Sequence, residues 1–243
     1  SVFSATLMED VTYTNLSVAF NTDLGKFAIG YMEAGVDEIP ITAQDSTGLI
    51  YSTGTFSYKN RIGKVGYQFS ATDRLHFGIN AVGYLNEIYT YTGTGYSVDA
   101  GVIYDNSKEM NLVLSVFARN ILPISVEYTD SEDSTYSGEE DLPVQIIFGA
   151  KYSFGDLDLM GQSKYDGINT LISGGLDYTP FFLLNFVTIS AGYKEFSVLD
   201  SISNTTTLGA GINLFGLSLD YAYEMSDHYE YDSNNYASIG FDF

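Results

Sequence analysis

The 243 residues contain no cysteine and no tryptophan, and cations are scarce: 10 Lys plus Arg stand against 31 Asp plus Glu, a formal net charge of −21. Without cysteine there is no disulfide scaffold, no thiolate zinc site and no thiol nucleophile. With so few cations nothing could neutralise a phosphate track, so nucleic acid is excluded as a partner. Long apolar runs are missing too: those present are short, such as Phe181-Phe182-Leu183-Leu184 and Leu112-Val113-Leu114, far from the roughly 18 residues a spanning helix needs. That excludes a membrane helix but leaves open a crossing made by strands. What is plentiful is aromatic and small: 21 Tyr, 16 Phe and 24 Gly in a chain that is 45% hydrophobic, too apolar for a disordered acidic tail. The length suits one large all-β domain or two small ones.

Two-residue alternation runs through nearly the whole chain, whereas helical spacing is hard to find. At the C-terminus Ala237, Ile239, Phe241 and Phe243 alternate with Tyr236, Ser238, Gly240 and Asp242; Leu217, Leu219, Tyr221 and Tyr223 alternate with Ser218, Asp220, Ala222 and Glu224. Val187, Ile189, Ala191 and Tyr193 alternate with Thr188, Ser190, Gly192 and Lys194 in the same way. The pattern predicts about fourteen strands, near 1–9, 12–20, 25–34, 61–71, 75–88, 95–105, 111–121, 143–154, 157–165, 171–179, 186–195, 204–214, 217–226 and 234–243. Most have the nine to eleven residues that a tilted strand needs to cross a bilayer.

The connections test this independently. After even-numbered strands come short turns, and after odd-numbered strands mostly longer polar loops, at 35–60, 89–94, 122–142, 166–170, 196–203 and 227–233. Acids such as Asp37, Glu38, Asp45, Glu127, Asp130, Glu132, Asp133, Glu139, Glu140, Asp141, Asp227, Glu230 and Asp232 gather in or beside those loops. An even strand count, with long loops at one end and short turns and both termini at the other, predicts a transmembrane antiparallel β-barrel of the bacterial outer membrane, one domain over 1–243. Its backbone groups would all be satisfied within the sheet. A soluble β-sandwich also alternates, but its exposed face would carry Lys, Glu and Thr. Here the second face is Gly, Ser, Ala, Asn and Asp. Tyr13, Tyr31, Tyr104, Tyr152, Tyr178, Tyr193 and Tyr223 are expected at the lipid–water boundary, where an amphipathic ring is best placed.

The terminal Phe243, preceded by Phe241 and Ile239 at alternate positions, resembles the signal read by the outer-membrane barrel assembly machinery. Several segments, in order, resemble the PorV/PorQ group of FadL-like barrels. They are Tyr96-Ser97-Val98-Asp99-Ala100-Gly101-Val102-Ile103-Tyr104, Phe117-Ala118-Arg119-Asn120-Ile121, Asp141-Leu142-Pro143 leading to Phe148-Gly149-Ala150-Lys151-Tyr152, and Gly174-Gly175-Leu176-Asp177-Tyr178. Ser190-Ala191-Gly192-Tyr193-Lys194 and Leu219-Asp220-Tyr221-Ala222-Tyr223 complete the series. The likeness runs from about residue 12 to the C-terminus, and each motif alone is common in barrels. It implies a fourteen-stranded barrel that either passes small hydrophobic molecules, such as fatty acids, or anchors or shuttles an envelope protein partner at the cell surface. Members usually begin with a Gly/Ala-rich plug segment containing Asn-Pro-Ala, whereas this chain opens directly on its first predicted strand.

Candidate site residues follow from the phase of the strands. Acids Asp99, Asp177, Asp220, Glu224 and Asp242 and bases Arg119, Lys151, Lys164 and Lys194 fall on the lumen face. They read as a polar track or gate, or more plainly as charges that brace the wall. Tyr84, Val113, Phe117 and Ile147 interrupt that polar lining, which a water-filled porin would avoid and a barrel with a hydrophobic ligand would use. Of the two histidines, His76 is expected in the lumen or at the periplasmic rim, and His228 in the last long loop beside Asp227. Neither comes with a nucleophile motif or a metal-ligand spacing, so no catalytic residue, metal or cofactor is assigned. The acidic stretch from Asp130 to Asp141 lacks the ordered ligand spacing of an EF-hand and reads as solvated surface charge.

Overall fold

The computed structural model describes residues 1–7, 11–122, 125–132, 137–180, 186–198, 201–227 and 233–241. Alternation becomes strand along almost all of it. The first six strands are β1 (Val2–Leu7), β2 (Val11–Thr22), β3 (Gly25–Gln44), β4 (Ile50–Ser70), β5 (Leu75–Ile88) and β6 (Tyr91–Asn106). A single helical turn α1 (Ser107–Met110) then leads to β7 (Leu112–Arg119), β8 (Ser125–Asp130), β9 (Ser137–Asp141) and β10 (Gln145–Phe154). The chain finishes with β11 (Leu157–Tyr165), β12 (Thr170–Tyr178), β13 (Val187–Val198), β14 (Ser201–Leu214), β15 (Leu217–Ser226) and β16 (Asn234–Phe241). Every pairing is antiparallel, and the first and last strands meet at Val2↔Ile239, so the sheet closes on itself. The ring holds fourteen of these strands; β8 and β9 stand on its rim, joined to it through β6.

The register carries one face around the ring without a slip. Asp220 is opposite Ser238, then Phe3, Asn15, Met32, Ile62, Tyr84 and Gly95 in turn. Two contacts identify this face as the inner one. Lys64 on β4 reaches Asp99 on β6 over β5, and Lys194 on β13 reaches Glu224 on β15 over β14. Side chains that meet across an intervening strand must converge, as they do on the concave side of a closed sheet. The outer face is correspondingly apolar and open, with Val65, Phe148, Ile172, Ile189 and Leu208 each more than half exposed. In water each such side chain would forgo about 1.5–3 kcal/mol of burial energy; a hydrocarbon surround removes that cost. Apolar outside and polar inside is the pattern a bilayer selects. At the short-turn end the outer face of β2–β5 carries a belt of touching rings. Phe20–Phe27, Phe27–Tyr67, Tyr67–Phe69 and Phe69–Phe77 have centroids 5.7, 4.9, 6.3 and 5.3 Å apart.

Three sequence expectations are corrected. The segment 35–60 is not a loop: β3 and β4 stay paired to Gln44↔Ile50, rising past their neighbours as a two-stranded ribbon. Its pattern was hidden by register shifts between Val36 and Ile39 and between Ile41 and Thr42, with Glu38 in a left-handed conformation (φ 60°). Each slip flips the faces and interrupts the alternation. The turn that closes the ribbon is tied by Asp45, whose Oδ1 accepts hydrogen bonds from the Thr47 amide and hydroxyl and from the Leu49 amide.

Within the segment 122–142 residues 125–130 and 137–141 are likewise strand, since β8 and β9 continue the course of β7 and β10 after an interruption. Seven positions along β6, from Ala100 to Thr94, match ten along its partners, from Ala118 to Glu127. The surplus residues around Asn120 are the break. Lastly, Tyr13 faces the lumen, where its ring meets Phe3 edge-on at 5.7 Å. Tyr31, Tyr104, Tyr152, Tyr178, Tyr193 and Tyr223 pair on the outer face.

Candidate functional site

The inner wall has two unlike sides. From β11 to β16 it is rich in Gly, Ser, Thr and Asp: a cavity of about 560 Å³ there is lined by Asp177, Ser190, Thr207, Asp220 and Ser238, with Met160, Tyr236 and Phe3 of β1 as its larger groups. From β4 to β10 it carries the apolar groups. Phe117 on β7 pairs directly with Ile147 on β10, and Val113 lies four residues further down β7, opposite Lys151. Two smaller cavities, about 330 and 280 Å³, open along this side. The three adjoin: Met160 and Gly175 line both the first and second, and Ser115 both the second and third. Together they form a belt of space around the lumen, with an apolar strip on one side and hydroxyls on the other.

Near the long-loop end the inner wall carries two polar clusters. On the β4–β7 side Asp99 is 1% exposed; its Oδ1 accepts the Asn120 amide at 3.2 Å and its Oδ2 lies 3.6 Å from Lys64 Nζ. Tyr84 Oη donates to Asn120 Oδ1 at 3.0 Å, and Asn120 Nδ2 donates to the Pro143 carbonyl at 3.0 Å. Asn120, itself left-handed (φ 54°), thus holds both sides of the β7/β8 and β9/β10 interruption to the wall. Arg119 lies over the Phe117 ring, 5.6 Å from its centroid, so the guanidinium shields one face of the apolar strip. On the opposite side Lys194 Nζ lies 2.6 Å from Glu224 Oε2. Glu224 also accepts hydrogen bonds from Thr205 at 3.4 Å, Asn234 at 3.3 Å and Tyr236 at 2.9 Å. Four polar partners around one buried carboxylate offset much of its desolvation.

Register therefore puts Asp99, Arg119, Lys151, Asp177, Lys194, Asp220, Glu224, Tyr84, Val113, Phe117 and Ile147 on the inner wall. It does not gather the charges into one track. Asp99, Arg119 and Lys151 line the apolar side, while Asp177, Lys194, Asp220 and Glu224 line the other. Lys151 pairs with Asp158 at 2.5 Å near the short-turn end, and Asp220 accepts a hydrogen bond from Ser238 at 3.0 Å. Sequence reasoning missed Lys64 and Asp158 as partners. The alternation of Ile62, Lys64, Gly66 and Gln68 with Gly63, Val65, Tyr67 and Phe69 was the available signal for the first.

His76 faces the lumen near the short-turn end, its Nδ1 2.7 Å from Ser70 Oγ. His228, Asp133, Glu230, Asp232, Asp242 and Phe243 lie outside the described residues; Ile239 and Phe241 are on the outer face of β16. Within the acidic stretch, Glu139 accepts a hydrogen bond from Ser125 and Glu140 one from Tyr128 at 2.8 Å, both inside the β8–β9 hairpin. Among the described residues no three His, Cys, Asp or Glu side chains come together as metal ligands.

No family model matches the chain, and no curated protein matches it in sequence. Solved structures do match it in shape. It is similar to the Pseudomonas putida toluene transporter TodX, with a TM-score of 0.64 at 12% identity, over 98% of this chain and 86% of that one. A TodX deltaS2S3 mutant, a monoaromatic hydrocarbon channel, gives 0.64 at 14% identity over 100% of this chain and 88% of that one. At these identities the likeness is one of fold, and the chain is a closed fourteen-stranded antiparallel β-barrel of the outer-membrane type.

Proposed function

We propose that this barrel lies in a bacterial outer membrane and passes small hydrophobic molecules through its lumen. The observation that carries the reading is the apolar strip of Val113, Phe117 and Ile147 on an inner wall that carries further apolar groups at Phe3, Met32, Ile62 and Met160. A general pore keeps its lumen polar; an apolar strip beside small cavities instead offers a hydrophobic solute successive places to leave water. The fold it shares with TodX, a toluene transporter, supports this reading. Lipid is then the surround of the outer face, and the alternating β16, with outward Ile239 and Phe241, is the segment offered to the barrel assembly machinery. Fatty acids and monoaromatic hydrocarbons are the two ligand classes to compare. The test is uptake of labelled toluene and labelled octanoate into proteoliposomes. At least one should enter tenfold faster than into protein-free vesicles, and rates equal to the empty vesicles for both would refute transport.

A second reading, a non-transporting barrel of the PorV/PorQ kind that anchors a partner protein, is favoured by the ribbon of β3 and β4. Above Gly35 and Tyr58 neither strand pairs with a neighbour among the described residues, so the ribbon extends about 30 Å beyond them, and Leu49, Ile50 and Tyr51 are exposed at its tip. On this reading, replacing residues 38–57 with a tight turn abolishes co-purification of an envelope protein and leaves solute uptake unchanged. Undiminished co-purification would refute anchoring by the ribbon.

A further inference from the structure

The smallest of the three lumen cavities differs from the other two in its lining. About 280 Å³ in volume, it is walled by β4–β7, with Phe117 and Ile103 as its apolar groups and Gln68, His76, Asn80 and Ser115 as its polar ones. Glycines on the inner wall create the room. The Phe117 ring lies over Gly101, where a Cβ would come 2.6 Å from its Cδ2; Asn80 Oδ1 lies over Gly66 and Ser115 Oγ over Gly149, each also 2.6 Å from such an atom. An edge of the Phe117 ring thus lies against the wall at Gly101, with Arg119 over the ring, and the Asn80 and Ser115 polar atoms lie along the wall on either side of it.

No Lys, Arg, Asp or Glu lines this space. An anion would find no fixed positive charge in the lining and a cation no counter-charge. The charged groups at its border are already engaged: Asp99, opposite Asn80 in the register, is held by Lys64 and the Asn120 amide, Arg119 lies over the Phe117 ring, and Asp105, which interacts electrostatically with His76, accepts the Ser107 amide at 2.9 Å. His76 is oriented by Ser70 through Nδ1, which leaves Nε2 for a ligand. Four groups able to donate or accept would be left without partners by a pure hydrocarbon, and a site built to bond a hydroxyl discriminates strongly against the analogue that lacks it. As to size, a cavity of about 150 Å³ already holds benzene, so one substituted ring fits here.

We infer that this pocket is a binding site for uncharged monocyclic aromatics bearing a hydroxyl group, the phenol class, with Phe117 and Ile103 against the ring and Gln68, His76, Asn80 and Ser115 as the groups that can bond the hydroxyl. The inference rests on the channel reading above, and it narrows the solute from hydrophobic molecules in general to hydroxylated rings.

Three probes of matched shape test it: p-cresol, toluene and 4-methylbenzoate, which share a methyl-substituted ring and differ in carrying a hydroxyl, nothing or a carboxylate. Binding is measured by saturation-transfer NMR on the full chain in lipid nanodiscs, with empty nanodiscs subtracted. p-Cresol binds at least tenfold more tightly than either of the others. In the double variant Gln68→Leu/His76→Leu that preference disappears while toluene binding stays within twofold; His76→Gln, which keeps a hydrogen-bonding group, retains most of it. Equal affinities in the wild type, or a preference that survives the double variant, overturn the pocket. If the double variant does not fold, His76→Leu and Ser115→Ala are read singly, and each lowers the preference at least threefold. Proteoliposome uptake measured in parallel separates the two readings: uptake of all probes without preference overturns the pocket alone, and preferential binding without any uptake keeps the pocket and overturns the channel.

Discussion

Phe117→Asp reduces proteoliposome uptake of small hydrophobic solutes to the level of protein-free vesicles, at least a tenfold loss, and Ile147→Asp does the same. The two side chains are paired across β7 and β10 and form the middle of the apolar strip. A carboxylate there binds water in the solute's path, and an apolar molecule must then displace a hydration shell worth far more than its own contact with a phenyl ring. The barrel itself should survive. Phe117 is half-buried and faces the lumen, so the new charge stays in contact with water and lies within reach of Arg119, which already sits over the ring. Phe117→Leu is the control: it preserves apolar area and should retain uptake within a few-fold. Undiminished uptake by both aspartate variants would refute passage along this strip, whatever the barrel does otherwise.

The second large effect is on stability. Asn120→Ala is expected to cost about 3 kcal/mol, because three separate contributions are lost together. Two side-chain hydrogen bonds, from Tyr84 and to Pro143, are each worth about 1 kcal/mol net. The left-handed backbone at φ 54°, tolerated by Asn, costs Ala roughly 1 kcal/mol more. Asn120→Gly separates the contributions: it loses the same hydrogen bonds but not the backbone preference, so it should be about 1 kcal/mol more stable than the alanine variant. Urea unfolding followed by tyrosine fluorescence, the natural probe in a chain without tryptophan, measures both. An alanine variant within about 0.5 kcal/mol of wild type, on the same scale, would show that Asn120 does not hold the interrupted strands to the wall.

Much of the barrel was legible from local pattern. In β10 the alternation of Gln145, Ile147, Gly149 and Lys151 with Ile146, Phe148, Ala150 and Tyr152 is matched by half-buried inner and exposed outer residues along the strand. The phase of such a strand tells which residues share a wall, and it placed all the lumen candidates among the described residues. Where residue type was followed instead of phase, the reading failed. Tyr13 is out of step with Leu16, Val18 and Phe20 on β2 and in step with Asn15 and Ser17, so the pattern itself pointed inward. Phase in turn failed where bulges intervene. The slips in β3–β4 and the surplus residues at Asn120 break the two-residue period, and Ser, Thr and Gly near them read as loop.

By itself, then, the sequence determined the class of structure: strands, their inner and outer faces, their even number, and a surface suited to lipid. These are properties of period and composition, which each strand carries within its own ten or so residues. Only the tertiary structure decided which inner residues are neighbours. That Asp99 meets Lys64 rather than Arg119 or Lys151, that Glu224 is enclosed by Lys194, Asn234 and Tyr236, and that Phe117 lies over Gly101 beside His76 all depend on register between strands and on closure of the ring. Register is set by pairing between segments far apart in the chain, and closure brings together side chains that no local period can relate.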